Sequence, residues 1–183
     1  MGILTTWFDR QQTRKVLIRR DRHEVDVRMK GLCREFSDED WALLLYLPVD
    51  AYWLAAATGD GLDRSATAMF GRLLDGAYTL PNQLLATLVG DVASSGPAEL
   101  LRIVSVESPG ARASRMARTK SILRQKLSPA QYQRFLGLLL VLAHQMAKAA
   151  GMVSDRQQRA LLSFASQYEV DLPSALACTC SAR

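Results

Sequence analysis

The chain has few of the residues that form metal clusters or covalent cross-links. Its 183 residues include three cysteines and two histidines, too few for a disulfide framework or a zinc cluster. Two of the cysteines, Cys178 and Cys180, lie near the C-terminal end. A reducing, cytoplasmic compartment is therefore expected.

Long apolar segments are also missing. The longest apolar run, from Phe135 to Ala143, is about half of the roughly 20 residues that a membrane-spanning helix requires. The N-terminal region has no long apolar segment of the kind found in secretory signals. We therefore expect no transmembrane segment and no secretory leader.

Catalytic motifs are missing as well. The sequence contains no glycine-rich phosphate loop, no H-E-x-x-H and no nucleophile elbow. His23 lies among charged residues, and His144 lies near the apolar face of a predicted helix without a partner in any recognisable catalytic motif. The sequence therefore predicts a protein that is not an enzyme.

The residues that are present favour helices throughout. No stretch alternates apolar and polar residues as a sustained strand would, whereas apolar residues from Ser128 onward recur every three or four positions. Pro48 predicts a kink or restart within a helix, and Leu80-Pro81 predicts a helix start. These patterns predict an all-α protein. The predicted helix caps are Ser37, Ser108, Ser128 and Ser154, and the predicted loops are Thr58–Leu62, Ala93–Pro97 and Val106–Gly110.

An internal repeat is the most informative pattern in the sequence. Segment 36–92 aligns with segment 127–178, so that Ser37 lies over Ser128 and the Leu80-Pro81 pair over Leu172-Pro173. A helical hairpin cannot bury its apolar face alone, so two such units would pack face to face. We expect residues 36–183 to form a duplicated helical-hairpin bundle. A basic connector, 93–126, would join its repeats, and a basic extension, 1–35, expected to be helical, would precede it.

The turn within each repeat resembles a known signature. Segment 55–63 (AAATGDGLD) is similar to the alanine-rich helix, Asp-Gly turn and acidic cap of tellurite-resistance TerB-like domains, and segment 149–155 (AAGMVSD) resembles a second copy. The resemblance implies an all-helical duplicated bundle that acts as a stress-associated scaffold or interaction module.

The resemblance also implies divalent-metal binding at the acidic positions, which here are Asp60 and Asp63. Ala66 and Gln157 stand where the pattern has glutamate. Calcium requires six to eight oxygen ligands, and the remaining carboxylates are few. The other interpretation makes Asp60 a turn residue and Asp63 a helix cap. No cofactor is expected on that interpretation.

The net charge of +5 is unevenly distributed. Residues 36–100 carry two Lys or Arg against nine Asp or Glu, whereas residues 101–135 carry eight against one. The basic run is either a helix face paired with the acidic region of the same molecule or a docking patch for nucleic acid, phosphate or an acidic protein. The residues predicted to bind a partner there are Arg112, Arg115, Arg118, Lys120 and Arg124.

An apolar cluster lies at the start of the basic extension. Trp7 and Phe8, with Ile3 and Leu4, could fold back on the bundle or bind a partner or a membrane surface. The sequence as a whole predicts a non-enzymatic protein–protein interaction or regulatory module. Nucleic-acid binding through residues 102–134 and metal binding at the Asp60/Asp63 turn are the alternatives.

Overall fold

The computed structural model describes residues 35–58, 61–62, 64–149 and 151–171. This part of the chain is all-α apart from one antiparallel pair of two-residue strands. Trp7, Phe8, Asp60 and Asp63 lie outside the described residues, as does most of the extension that was predicted to be helical. The elements are α1 (Asp38–Leu44), α2 (Tyr46–Ala56), β1 (Ala57–Thr58), β2 (Gly61–Leu62), α3 (Arg64–Asp75), a 3-10 helix (Ala77–Thr79), α4 (Gln83–Ser95), α5 (Pro97–Val106), α6 (Pro109–Lys126), α7 (Pro129–Ala149) and α8 (Asp155–Tyr168).

The predicted serine caps are present at the start of four helices. The hydroxyl oxygens of Ser37 and Ser108 accept hydrogen bonds from backbone N–H groups in the first turns of α1 and α6. Ser154 forms a capping box with Gln157, and Ser128 exchanges the same pair of hydrogen bonds with Gln131. Each cap pairs N–H groups that would otherwise have no partner inside the helix.

The loops predicted at Ala93–Pro97 and Val106–Gly110 each contain a helix break, but they were predicted too long. Only Gly96 separates α4 from α5, and only Glu107 and Ser108 separate α5 from α6. Gly96 adopts a left-handed conformation with φ of 88°, which glycine tolerates and other residues rarely do. One residue is therefore enough to turn the chain, and the surrounding residues stay helical.

The break predicted at Pro48 falls three residues earlier, at Leu45. Pro48 is the third residue of α2, where a proline does not remove an intrahelical hydrogen bond. The helix start predicted at Leu80-Pro81 is two residues too early, because Asn82 caps α4 and the helix begins at Gln83. Prolines thus mark these boundaries to within three residues.

The core is built around α2. Nearly every residue of this helix from Leu47 to Ala56 is buried, because α2 is apolar on all faces apart from Asp50 and is surrounded by other helices. It packs most extensively against α7, and also against α3, α5 and α8. The helices of segment 93–126 belong to the same bundle: α5 packs on α2, and α6 contacts α1, α7 and α8.

No helix in the described ranges is both long enough and apolar enough to span a membrane.

Candidate functional site

The five predicted partner-binding cations all lie on α6, but they do not share a face. At about 100° per residue, Arg112 and Arg115 point toward the side of α6 that packs on the bundle. Lys120 and Arg124 lie on one flank of the helix, and Arg118 lies on the opposite side. The burial pattern agrees, since Arg115 is buried while Arg118 and Arg124 are exposed.

Arg115 is the centre of a buried ion cluster. Its guanidinium donates two hydrogen bonds to the Asp50 carboxylate on α2, at 2.7 and 3.0 Å, and two to Glu107, at 2.7 and 3.0 Å. The guanidinium also lies 4.6 Å from the centre of the Tyr46 ring. All of these contacts fix α6 against α2, so Arg115 has little capacity left for an external ligand.

The charges in this cluster shift the pKa of each member. Burial raises the pKa of Asp50, although hydrogen bonds from Arg115 oppose the shift. The same guanidinium lowers the pKa of Glu107. Burial alone would lower the pKa of Arg115, but its hydrogen bonds to Glu107 and Asp50 raise it overall. The paired hydrogen bonds from Arg115 to each carboxylate favour the ionised form of Asp50 and of Glu107.

Arg112 and the flanking cations are also paired within the chain. Arg112 donates to Glu107 at 3.4 Å and to the Val104 carbonyl oxygen. Lys120 and Arg124 both bind the Glu169 carboxylate and thereby lower its pKa. Because Glu169 follows the last residue of α8, these pairs fasten the end of α8 to α6.

Arg118 differs from the other four. It is exposed and makes no ion pair with any described residue. The structure therefore places Arg112 and Arg115 together at Glu107, and Lys120 and Arg124 together at Glu169. It does not gather the five cations into one basic surface.

Tyr168 is a buried polar residue that the sequence did not single out. Its side chain is 1% exposed, and its hydroxyl makes no hydrogen bond with any described residue. The Thr119 hydroxyl donates instead to the Arg115 carbonyl oxygen, at 2.9 Å. Burial raises the pKa of the Tyr168 phenol, and the nearby Asp50 charge adds to the shift, so this residue stays neutral.

His144 lies on α7 and is buried. Burial lowers its pKa, and the charge of Lys148 adds to the effect. The neutral imidazole is therefore favoured at neutral pH.

The surface feature that the structure adds is an apolar groove between α3 and α7. It has a volume of about 220 Å³. Four of its apolar residues are half-buried rather than fully covered, so the groove presents apolar surface to solvent. Its lining consists of Met69, Arg72, Leu73, Gly76, Thr79, Leu80, Leu142 and Met146.

One cation lies at the groove. Arg72 is exposed and its guanidinium donates to the Met69 sulfur at 3.4 Å, but it makes no ion pair within the described ranges. Tyr78, in the adjoining 3-10 helix, is 70% exposed. The groove thus combines an apolar floor, an unpaired positive charge and an exposed aromatic ring nearby.

Sequence reasoning missed the groove because α3 and α7 are far apart in the chain. A local signal does exist on α3, where Met69 and Leu73 recur at helical spacing. That signal indicates an apolar face, but it does not say whether another helix covers it.

Asp60 and Asp63, the residues of the predicted acidic turn, lie outside the described residues. Elsewhere in the described chain, no group of three or more His, Cys, Asp or Glu residues is placed to hold a metal ion.

Comparison of the chain with protein-family models, with curated proteins and with solved structures found no match. The resemblance to TerB-like domains therefore depends on the two turn segments quoted above.

Proposed function

We propose that the protein is a non-enzymatic interaction module that binds a partner protein in the groove between α3 and α7. The observation that carries this proposal is an open apolar concavity beside the exposed Tyr78. Binding sites in folded proteins are typically concave and lined mainly by apolar side chains with a few polar groups.

The lining of the groove suggests the chemistry of the partner. Met69 and Met146 contribute flexible, polarizable side chains, which adapt to different apolar ligands. The volume is below the range of about 300–1,000 Å³ that is usual for small-molecule sites. The groove therefore suits one or two anchoring side chains of a protein segment better than a metabolite.

The cations of α6 support nucleic-acid binding, the first alternative, less well. Four of its five predicted cations bind carboxylates of the same chain, so fewer charges remain for nucleic acid. If residues 102–134 do bind nucleic acid, affinity for a duplex should fall steeply between about 50 and 200 mM salt, because counterions are released on binding.

Metal binding at Asp60 and Asp63 remains the second alternative. Calorimetric titration of the protein with calcium, magnesium and zinc tests it directly. Heat of binding that disappears in an Asp60→Asn, Asp63→Asn variant would favour this alternative.

We also propose that segments 36–92 and 127–178 are TerB-like repeats. The support is the matching pair of caps at Ser37 and Ser128, together with a contact between the repeats, in which the Gln157 side-chain amide donates to the Ala55 carbonyl oxygen. The two segments differ in one respect, because the chain breaks at Leu45 between α1 and α2 whereas α7 is continuous.

Affinity purification from the native host with a groove variant tests the interaction proposal. Leu73→Glu introduces a charge into the groove, and Leu162→Glu, at a leucine of α8 that is 37% exposed and outside the groove, is the matched control. Both variants are first checked for folding by thermal denaturation.

We expect to recover a partner that binds the wild type and the Leu162→Glu control but not Leu73→Glu. The purified partner should likewise bind the wild type and the control more tightly than it binds Leu73→Glu. If the Leu73→Glu variant binds every recovered protein as tightly as the wild type does, the groove is not the binding site.

A further inference from the structure

We infer that the groove between α3 and α7 binds the apolar N-terminal segment of the same chain, with Trp7 or Phe8 as the anchoring side chain. This inference rests on the proposed docking function of the groove. It adds a regulatory step, because an external partner would then have to displace a segment of the protein itself.

The size of the groove fits one aromatic ring system. A volume of about 220 Å³ exceeds the roughly 150 Å³ of an apolar protein cavity that accommodates benzene. It is too small for several large side chains at once. A single aromatic anchor with its neighbouring backbone is therefore the occupant that this volume suits.

The residues around the groove also favour an aromatic anchor followed by a carboxylate. The sulfur atoms of Met69 and Met146 can make favourable contacts with an aromatic ring. Arg72 makes no ion pair with the rest of the described chain, so its guanidinium can bind a carboxylate or stack over a ring.

The N-terminal segment supplies this combination. Trp7 and Phe8 are the chain's aromatic residues outside the described ranges, and Asp9 follows them directly. The C-terminal residues 172–183 contain neither an aromatic residue nor a carboxylate side chain. Charge complementarity between Asp9 and Arg72 therefore favours the N-terminal segment over the other end of the chain.

The connecting chain is long enough. The described residues begin at Glu35, and the residues between Asp9 and Glu35 would span about 40 Å even as a continuous helix. That length exceeds the diameter of a small domain, about 30 Å. Because the segment is tethered to the same chain, its effective concentration at the groove is set by the linker and not by the protein concentration, so even a weakly binding segment can fill the groove.

Methyl NMR of the methionines in the full-length protein tests the inference. Trp7→Ala, Phe8→Ala removes both rings without altering any described residue. Met69 and Met146 line the groove, whereas Met116 and Met152 do not, so the same spectrum contains its own controls.

We expect the methyl signals of Met69 and Met146 to shift when the rings are removed, because aromatic ring currents no longer act on them, while those of Met116 and Met152 stay in place. Unchanged signals from Met69 and Met146 would overturn the inference. A concentration-dependent shift would also overturn it, because the occupant would then be a second copy of the chain.

The two proposals fail in different ways. If the methyl signals do not shift but Leu73→Glu abolishes partner binding, the groove binds a partner and the intramolecular inference is wrong. If the signals shift but no partner depends on Leu73, the groove binds its own chain and the proposed function is wrong. If the signals shift and partner binding also depends on Leu73, both proposals hold. The Trp7→Ala, Phe8→Ala variant should then bind the partner about tenfold more tightly than the wild type does, since the competing segment is gone.

Discussion

Arg115 is a single buried charge whose removal should destabilise the bundle. Its guanidinium is held between Asp50 and Glu107, and Asp50 is only 4% exposed. Removing one member of such a cluster leaves the other as an uncompensated buried charge, which costs more than the pair itself contributes.

We therefore predict that Arg115→Met lowers the free energy of unfolding by about 3–5 kcal/mol. Adding Asp50→Leu should restore much of this loss, because the buried carboxylate is then absent as well. Urea denaturation of the wild type, both single variants and the double variant measures the coupling. A double variant no more stable than Arg115→Met would show that Asp50 is not the residue left unpaired.

At the scale of single residues, the sequence predicted caps better than it predicted buried charges. Ser108 and Ser154 could be recognised because a capping side chain acts on a backbone three residues away. Arg115 and Arg118 look alike in the sequence. Only the position of α2 decides that the first binds Asp50 while the second is exposed.

At the scale of helices, α4 contains one glycine inside it and another at its end. Gly90 lies in the helix, and a methyl group added there would meet Ala77 at 4.0 Å, an ordinary contact distance. Gly96 ends the helix with φ of 88°, a conformation that L-residues rarely adopt.

The two glycines should respond in opposite directions to the same substitution. We predict that Gly90→Ala raises the free energy of unfolding by up to about 1 kcal/mol, because alanine has the higher helix propensity. Gly96→Ala should lower it by about 1–2 kcal/mol, because a side chain is strained in the left-handed conformation. Thermal and urea denaturation of both variants measures these changes, and equal signs would contradict the description of this helix end.

The order of the helices was largely predictable, whereas the lengths of the links between them were not. Proline and serine marked the starts of α6 and α7. The loops predicted around Gly96 and Ser108 were correctly placed but too long, because the same residues that signal a loop also allow a turn of one or two residues.

At the scale of the whole molecule, stability should depend on pH through His144. Burial lowers the pKa of this residue below its ordinary value of 6.5. Above pH 6.5 the ring is neutral in both the folded and the unfolded chain. Below that value the unfolded chain takes up a proton that the folded chain resists, so folding becomes less favourable.

We predict that the free energy of unfolding falls between pH 7.5 and about 5.5, by at most about 1.4 kcal/mol per pH unit, which is the limit for one proton. A His144→Gln variant should show a smaller change over this range. Glu107, whose pKa is lowered from 4.5, acts in a separate window, because its stabilising contribution is lost only as the pH falls below 4.5. Urea denaturation at several pH values measures both effects, and equal slopes for wild type and variant would exclude His144.

The groove between α3 and α7 is also a property of the whole molecule, and the sequence alone could not predict it. Its lining comes from α3, the 3-10 helix and α7, which meet only once the bundle has formed. An apolar helix face is recognisable from its spacing, but whether the face is covered depends on how all the other helices pack.

The link between Asp50 and Arg115 also has a consequence for synthesis on the ribosome. The two residues are 65 positions apart, and chains grow at about 5–20 residues per second. For several seconds α2 exists without its counter-charge, and its carboxylate resists burial until α6 is made. The first helices should therefore stay unpacked during translation, and the core should close only when the second half of the chain has emerged.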